Sequence, residues 1–152
     1  MNKQQIVSRV LRLAMGFIFL WAFLDKTFGL GFATVPEKSW INGGSPTFGF
    51  LSFGVKGPFV EFFHSLAGVA IVDWMFMLGL LFIGLTLVLN KFVKWGAIAG
   101  ALMMVFMYLA LLFPENNPII DEHIVYGIVL VGLAHSDAGK HFGLAKRWKS
   151  LE

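Results

Sequence analysis

Five side chains that could carry acid–base chemistry lie in strongly apolar segments of the chain: Asp25, Lys26, Asp73, Tyr108 and His123. If those segments are helices that cross a membrane, a rise of about 1.5 Å per residue places four of the five roughly 18–20 Å from the inner edge, with Asp73 slightly farther out. A charged side chain at such a depth costs about 2.5–3.5 kcal/mol to insert, so it must find partners inside a bundle. We expect Lys26 to pair with Asp73, and Asp25 to pair with His123 or Tyr108.

His123 is the residue around which a binding site is predicted. Tyr126 and Gly127 follow it by one helical turn on the same face, and the glycine leaves a notch beside an aromatic ring and a titratable group. Such a notch could hold a small ligand or a quinone headgroup, with His123 as hydrogen-bond partner or proton carrier. The candidate catalytic residues are Asp25 and His123. The candidate ligand-binding residues are Asp25, Lys26, Asp73, Tyr108, His123 and Tyr126.

Two other interpretations of these polar residues stay open. They could form a structural clasp that fixes the register of the helices, a use that buried ionic groups sometimes have. They could also lie close enough to the outer edge of the membrane to reach lipid headgroups.

The composition indicates an integral membrane protein with a single domain, residues 1–152. The chain is 57% hydrophobic and 14% charged, with a mean hydropathy of +0.75, and both fractions lie outside the averages of globular domains. The net charge of +3 comes from basic residues that flank apolar segments, so it does not indicate nucleic-acid binding. The absence of cysteine excludes disulfides, thiolate nucleophiles, cysteine-bound iron–sulfur clusters and dithiol mechanisms.

Four apolar segments predict the fold. Each is close to the roughly 20 residues that a bilayer core requires, and each is continuously apolar, which favours a helix over a barrel strand. Short connections predict that consecutive helices are antiparallel. The sequence therefore predicts an all-α integral membrane protein, a four-transmembrane-helix antiparallel bundle, with spans at about 13–32, 69–89, 95–113 and 119–135.

The distribution of lysine and arginine predicts the orientation. Most of these residues lie on the side of the two termini, and only Lys26, Lys38 and Lys56 lie on the other, so we expect the amino and carboxyl ends to be cytoplasmic. The basic tail, residues 140–152, carries interleaved apolar residues. It is expected either to lie along anionic lipid at the inner surface or to fray in solvent.

Residues 40–68 predict an amphipathic cap on the outer side. The stretch INGGSPTFG is typical of turns, and Pro58 is well placed in the first turn of a short helix that ends at Leu66. The cap could merely shield the outer end of the bundle, or it could act as a lid. The lid candidates are Trp40, Glu61 and His64.

The sequence favours neither haem nor a metal. Haem held by two histidines needs both at one level on facing helices, and on the outer side only His64 and His123 are available. We find no metal-binding signature, phosphate loop, nucleophile elbow or dinucleotide fingerprint.

Several stretches together resemble a known family. The runs RLAMGFIFLWAFLDKTFGLGFAT, WINGGSPTFGFL, GPFVEFFHSLAG, VDWMFMLGLLFIGL and PENNPIIDEHIVYGIVLVGLA are similar to the DoxX/DoxD-like family of small bacterial and archaeal membrane proteins, over nearly the whole chain. The resemblance implies a four-helix bundle in the cell membrane of a prokaryote. Some relatives are described as the membrane subunit of thiosulfate:quinone oxidoreductase, and others are linked to oxidative-stress complexes with soluble redox partners.

The leading functional hypothesis is therefore a membrane subunit of a quinone-linked oxidoreductase, of which the thiosulfate:quinone type is one form. Quinone is the expected cofactor, the lipid bilayer the expected surroundings, and a soluble redox partner is expected at the outer face or the basic tail. The first alternative is a non-enzymatic membrane anchor or scaffold for soluble redox partners. Transport of a small solute is the weaker alternative, and a homo-oligomer is left open.

Overall fold

The computed structural model describes residues 3–114 and 117–136. In this part of the chain the regular structure is helical, without strands. Three helices are long and apolar enough to cross a membrane, whereas α5 is apolar but has only 14 residues. The architecture is thus all-helical and compatible with a multi-pass membrane protein. The helices are α1 (Lys3–Phe28), α2 (Val60–Ser65), α3 (Ala70–Leu89), α4 (Val93–Ala110) and α5 (Glu122–His135).

The predicted second and third spans agree closely with α3 and α4. The first differs, because α1 starts ten residues earlier, at Lys3, and ends at Phe28 rather than near residue 32. It ends there because Gly29 adopts a left-handed conformation, with φ at 66°. Asp25 and Lys26 therefore lie in the last turn of α1.

The predicted fourth span is shorter in the structure. Asp121 caps α5, because its side chain accepts hydrogen bonds from the backbone amides of His123 and Ile124. At about 1.5 Å per residue the 14-residue helix is about 21 Å long, less than the roughly 30 Å of a bilayer core.

The helices pack in chain order, α1 on α3, α3 on α4 and α4 on α5. Only three residues separate α3 from α4, and two of them, Asn90 and Phe92, have φ at 57°. So tight a turn makes the two helices antiparallel neighbours, as predicted. The centre of the core consists of fully buried side chains: Phe19, Met77, Ile83, Leu87 and Leu130.

Gly84 and Gly96 are among the glycines that allow close contacts between helices. A Cβ atom at Gly84 would lie 2.8 Å from the backbone nitrogen of Leu20 on α1. A Cβ atom at Gly96 would overlap the Thr86 hydroxyl on α3. The absence of a side chain at Gly96 therefore allows α4 to approach α3 closely.

Arg12 is a buried charged residue on α1. Its guanidinium donates to the Leu87 carbonyl, and to that of Val88 at 3.4 Å, at the carboxyl end of α3. A cation is favourable there because the last carbonyls of a helix carry partial negative charge. Arg12, nine residues after the start of α1, therefore links that helix to the carboxyl end of α3.

The connection between α1 and α3 forms the cap. It contains two 3-10 turns, Pro36–Lys38 and Trp40–Asn42, a π-helical turn at Phe50–Gly54, and α2. It therefore starts at Gly29, earlier than the predicted residue 40. The short helix is also shorter than predicted, since it begins at Val60 and ends at Ser65. The basic tail 140–152 lies outside the described residues, and so do Glu115 and Asn116.

Candidate functional site

Asp25 holds the first loop of the cap. Its side chain is only 2% exposed, and its two carboxylate oxygens accept the backbone amides of Phe32 at 3.2 Å and Ala33 at 3.0 Å. A buried carboxylate must be satisfied by donors, and here the donors are two backbone N–H groups of the loop that follows α1. Asp25 therefore stabilises the turn that the chain makes after α1. It does not contact His123 or Tyr108, its predicted partners.

Asp73 holds a second part of the cap. It lies near the start of α3, is 7% exposed, and receives three hydrogen bonds on its Oδ1 atom. The donors are the Ser45 hydroxyl at 2.9 Å, the Thr47 amide at 3.1 Å and the Thr47 hydroxyl at 2.6 Å. Bonds to an ionised acceptor are short and strong, so Asp73 pins the segment Ser45–Thr47 to α3.

Lys26 is the third polar contact between the helices and the cap. Its amino group donates to the Pro46 carbonyl at 3.2 Å and lies 6.0 Å from the centroid of the Phe76 ring. Within residues 3–114 and 117–136, no carboxylate oxygen lies within 4.0 Å of this amino group. An ammonium group has three N–H donors, so the bond to Pro46 leaves donor capacity for a further acceptor.

These contacts correct the predicted pairing. Lys26 and Asp73 form no direct ion pair; they meet indirectly, because Lys26 binds Pro46 and Asp73 binds the residues on either side of it. The polar groups of α1 and α3 therefore tie the cap to the bundle. These contacts hold the cap to the bundle, whereas the structural clasp suggested by the sequence was one that fixes the register of the helices.

A cavity of about 630 Å³ lies between α3, α4 and the cap, with Lys26 in its wall. We call it the Lys26 cavity. Its volume falls within the roughly 300–1,000 Å³ of small-molecule sites. Apart from Lys26 and Thr47, its side chains are apolar. The lining residues are Lys26, Pro46, Thr47, Phe50, Leu51, Phe63, Leu66, Val72, Met75, Phe76, Ala99, Leu102, Met103, Phe106, Met107 and Ala110.

The rim of the Lys26 cavity includes side chains on the outside of the bundle. Met75 on α3 is 68% exposed, and Leu102 and Phe106 on α4 are 56% and 52% exposed. If these helices span a membrane, such residues face lipid. The cavity has a lateral mouth between α3 and α4, where these exposed side chains form its rim.

The length of the cavity follows from α4. Ala110 ends the helix and lies at the cap, whereas Ala99 lines the cavity deeper in the bundle, about 16 Å away at 1.5 Å per residue. Lys26 lies in the last turn of α1, close to the cap. The amino group thus marks the end of the cavity at the cap, and an apolar slot extends from it toward the middle of the bundle.

His123 has a local partner instead of the predicted one. Its Nδ1 atom lies 2.8 Å from the Asp121 carboxylate, and the same carboxylate accepts the His123 amide at 3.0 Å. Burial raises the pKa of Asp121, which precedes α5, but hydrogen bonds from the His123 side chain and the Ile124 amide outweigh it, so the pKa lies below its ordinary value. His123 therefore interacts with the residue that caps its own helix.

The two tyrosines also lie apart from Asp25. The Tyr108 hydroxyl donates to the Ile119 carbonyl at 2.7 Å, which ties the end of α4 to the segment before α5. Tyr126 packs against the main hydrophobic core. The candidate residues consequently divide into three groups: Asp25, Lys26 and Asp73 beneath the cap, His123 and Tyr108 at the start of α5, and Tyr126 in the core.

A second, smaller cavity of about 290 Å³ lies between α4 and α5, and we call it the His123 groove. Gly127 lines it together with His123, whereas Tyr126, the aromatic residue expected beside the predicted notch, does not line it. Its other lining residues are apolar: Ala101, Met104, Val105, Ile124, Ile128 and Val131.

A third cavity, of about 440 Å³, lies between the π-helical turn of the cap and the start of α5. Lys56, Asn117, Asp121 and Glu122 contribute its polar groups. Asp121, Glu122 and His123 have potential ligand atoms within 4.8 Å of one another. Both Asp121 oxygens already accept hydrogen bonds, however, from His123 and from the start of α5, so this geometry is explained by helix capping.

The three lid candidates lie away from the Lys26 cavity. Trp40 packs on the core and edge-on against Trp74, with ring centroids 4.6 Å apart. Glu61 and His64 are exposed on α2. The cap residues that do line the cavity are Pro46, Thr47, Phe50, Leu51, Phe63 and Leu66.

Sequence reasoning did not identify the hydrogen bonds that Ser45, Pro46 and Thr47 make with the helices. A signal was present, since two hydroxyl residues flank a proline in a loop between spans that carry buried charges. It missed Arg12 as a buried residue too, although Arg12, Met15, Gly16 and Phe19 follow the three- and four-residue spacing of one helix face.

No family model, no curated protein and no solved structure matches this chain.

Proposed function

We propose that this chain is the membrane subunit of a quinone-linked oxidoreductase and that it binds the quinone in the Lys26 cavity. The observation that carries the proposal is an apolar cavity of about 630 Å³ with one amino group at its cap end and a lateral mouth rimmed by exposed apolar side chains. A quinone has a flat ring with carbonyl acceptors and an apolar chain. Lys26 would donate to a carbonyl oxygen, and the chain would leave through the mouth between α3 and α4.

The walls suit this ligand. Phe50, Phe76 and Phe106 offer aromatic surface to a flat ring, and aromatic contacts favour offset or edge-on stacking. Met75 and Met103 offer side chains that adapt to the shape of a neighbour. The Lys26 cavity is about twice the volume of the His123 groove, and its polar group retains donor capacity. These are the reasons to prefer Lys26 over the site predicted around His123.

The partner supplies the electrons. Reduction of a quinone to a quinol consumes two electrons and two protons, and the sequence contains no cysteine that could relay electrons. In the proposed assembly a soluble donor docks at the outer face, passes two electrons to the quinone, and water supplies the protons. The resemblance to the DoxX/DoxD-like family supports thiosulfate as a donor to test.

The test is a titration of decylubiquinone, and of a short-chain menaquinone analogue, into the protein in lipid nanodiscs. Quenching of fluorescence from the five tryptophans reports binding. We expect saturable binding of at least one analogue and release of quinone into a lipid extract of gently purified protein. Saturable binding of palmitate with no binding of either quinone analogue contradicts the proposal, because the cavity would then serve an anionic amphiphile.

Activity is tested separately in membranes of cells that make the protein. Thiosulfate-dependent quinone reduction should fall when Lys26 is replaced by methionine. If reduction is unchanged by that substitution but a soluble partner is still recruited, the anchor hypothesis is favoured instead.

A further inference from the structure

Three residues of the cap connect Asp73 on α3 to Lys26 on α1. Asp73 Oδ1 accepts from Ser45 and, through both its amide and its hydroxyl, from Thr47. Pro46 lies between them, and its carbonyl accepts the Lys26 amino group. Consecutive contacts therefore connect a buried carboxylate to Lys26, whose amino group is the only one that the described residues contribute to the cavity wall.

We propose that Asp73 is a positioning residue for Lys26: it fixes Ser45–Thr47 so that the Pro46 carbonyl holds the amino group toward a bound quinone. The role of Lys26 toward quinone rests on the proposed function. The hydrogen-bonded connection between Asp73 and Lys26 does not.

The need for positioning follows from the side chain. A lysine has a flexible four-carbon stem, and holding it in one arrangement costs conformational entropy. Proline has no N–H group and a fixed φ, so Pro46 contributes only its carbonyl. The direction of that carbonyl depends on the bonds made by Ser45 and Thr47. With Asp73 removed, Lys26 loses a fixed acceptor and samples other rotamers.

Asp25 shows that a buried carboxylate under the cap need not have this role. It is buried at least as deeply as Asp73, but it bonds to Phe32 and Ala33, neither of which lines the Lys26 cavity. Of these two carboxylates, only Asp73 reaches the segment that carries the acceptor of Lys26. The inference is thus specific to Asp73.

The choice of substitutions at Asp73 depends on the fact that one atom, Oδ1, accepts all three hydrogen bonds. Because all three bonds end on Oδ1, Asp73→Asn keeps an oxygen at that place and should rescue the function. Asp73→Leu keeps a similar size and removes the acceptor. Asp121→Ala, which removes the cap of α5, is the control for general destabilisation.

The first measurement does not depend on quinone. Protein in nanodiscs is treated with a lipophilic N-hydroxysuccinimide ester, and mass spectrometry follows acylation of Lys26, with the exposed Lys94 as internal reference. We expect Asp73→Leu to change the relative rate at Lys26 about fivefold or more, and Asp73→Asn and Asp121→Ala to stay within about twofold. An unchanged rate in Asp73→Leu overturns the inference.

The second measurement is a double-mutant cycle on decylubiquinone affinity. Asp73→Leu should weaken binding about tenfold in the wild-type background but no more than about twofold when Lys26 is already methionine. Equal losses in both backgrounds would show a merely structural role and overturn the inference. If the wild-type protein binds no quinone, the proposed function fails, and the acylation rates still decide whether Asp73 positions Lys26.

Discussion

The Lys26 cavity and the His123 groove differ in how their polar group is held. His123 is hydrogen-bonded to Asp121, the N-cap residue of its own helix, two residues away. Lys26 is tied to Pro46, twenty residues away, in a segment that a third element holds through Asp73. A group bound within its own helix turn stabilises that turn. A group held by a separate segment can be directed into a space that several elements enclose.

The difference between the Lys26 cavity and the His123 groove should have its largest effect on binding when a bulky side chain on α4 fills one or the other. Ala99 and Ala101 both lie on α4, both are partly buried, and each lines only one of the two cavities. Ala99→Phe places a ring in the Lys26 cavity and should weaken decylubiquinone binding about 100-fold or more, because the ligand and the ring cannot share the space.

Ala101→Phe is the matched control and should leave the affinity within about threefold. Fluorescence titration in nanodiscs measures both, and thermal unfolding verifies that both variants are folded. A loss of binding in Ala101→Phe with retention in Ala99→Phe would move the site to the His123 groove.

Removal of the two polar groups should give the next largest effect. Lys26→Met keeps the length of the side chain and removes its donors, so decylubiquinone affinity should fall about tenfold, the value of a hydrogen bond from a charged donor. His123→Ala should change it less than about twofold. The same titration measures both variants. Equal losses of affinity in the two variants would contradict the assignment of the quinone site to the Lys26 cavity alone.

Because Asp121 and His123 interact at the start of α5, we expect substitution of Asp121 to change the stability of the protein without changing its affinity for quinone. Asp121→Ala removes the N-cap of α5 and should lower the free energy of unfolding by about 1 kcal/mol. Thermal or denaturant unfolding in detergent measures this loss. Quinone affinity, measured at a temperature where the variant is fully folded, should be unchanged; a parallel loss of affinity would mean that α5 contributes to the site.

The smallest effect is expected at the notch of the His123 groove. A Cβ atom at Gly127 would meet only the Cβ of Met104, at 3.8 Å, an ordinary contact. Gly127→Ala should therefore change the free energy of unfolding by less than about 1 kcal/mol and leave quinone affinity as it is. Reduced affinity in this variant would indicate that a quinone occupies the notch.

Much of the fold could be predicted because a long, continuously apolar helix has a strong sequence signature. The continuous apolar run that becomes α3 gave its bounds within one residue, and the short turn at Asn90–Phe92 required antiparallel helices. Ends of helices were predicted less well. They depend on single residues, such as the left-handed Gly29 after α1 and the capping Asp121 before α5.

The candidate site was predicted only in part. Depth along each helix correctly marked Asp25, Lys26 and Asp73 as buried or partly buried polar residues. Their partners could not be predicted from depth, because donors and acceptors in the cap lie in irregular backbone whose path has no period. The rotation of each helix was also unknown, so the sequence could not show that Lys26, rather than His123, lines the larger cavity.

Photo-crosslinking with an azidoquinone in nanodiscs, followed by mass spectrometry of the labelled peptides, tests most directly whether quinone binds in the Lys26 cavity. We expect adducts on the α4 face that lines this cavity, at Met103 and Phe106, and their loss in Ala99→Phe. Adducts confined to Ile124 and Ile128 of the His123 groove, or labelling that excess decylubiquinone does not reduce, would contradict this expectation.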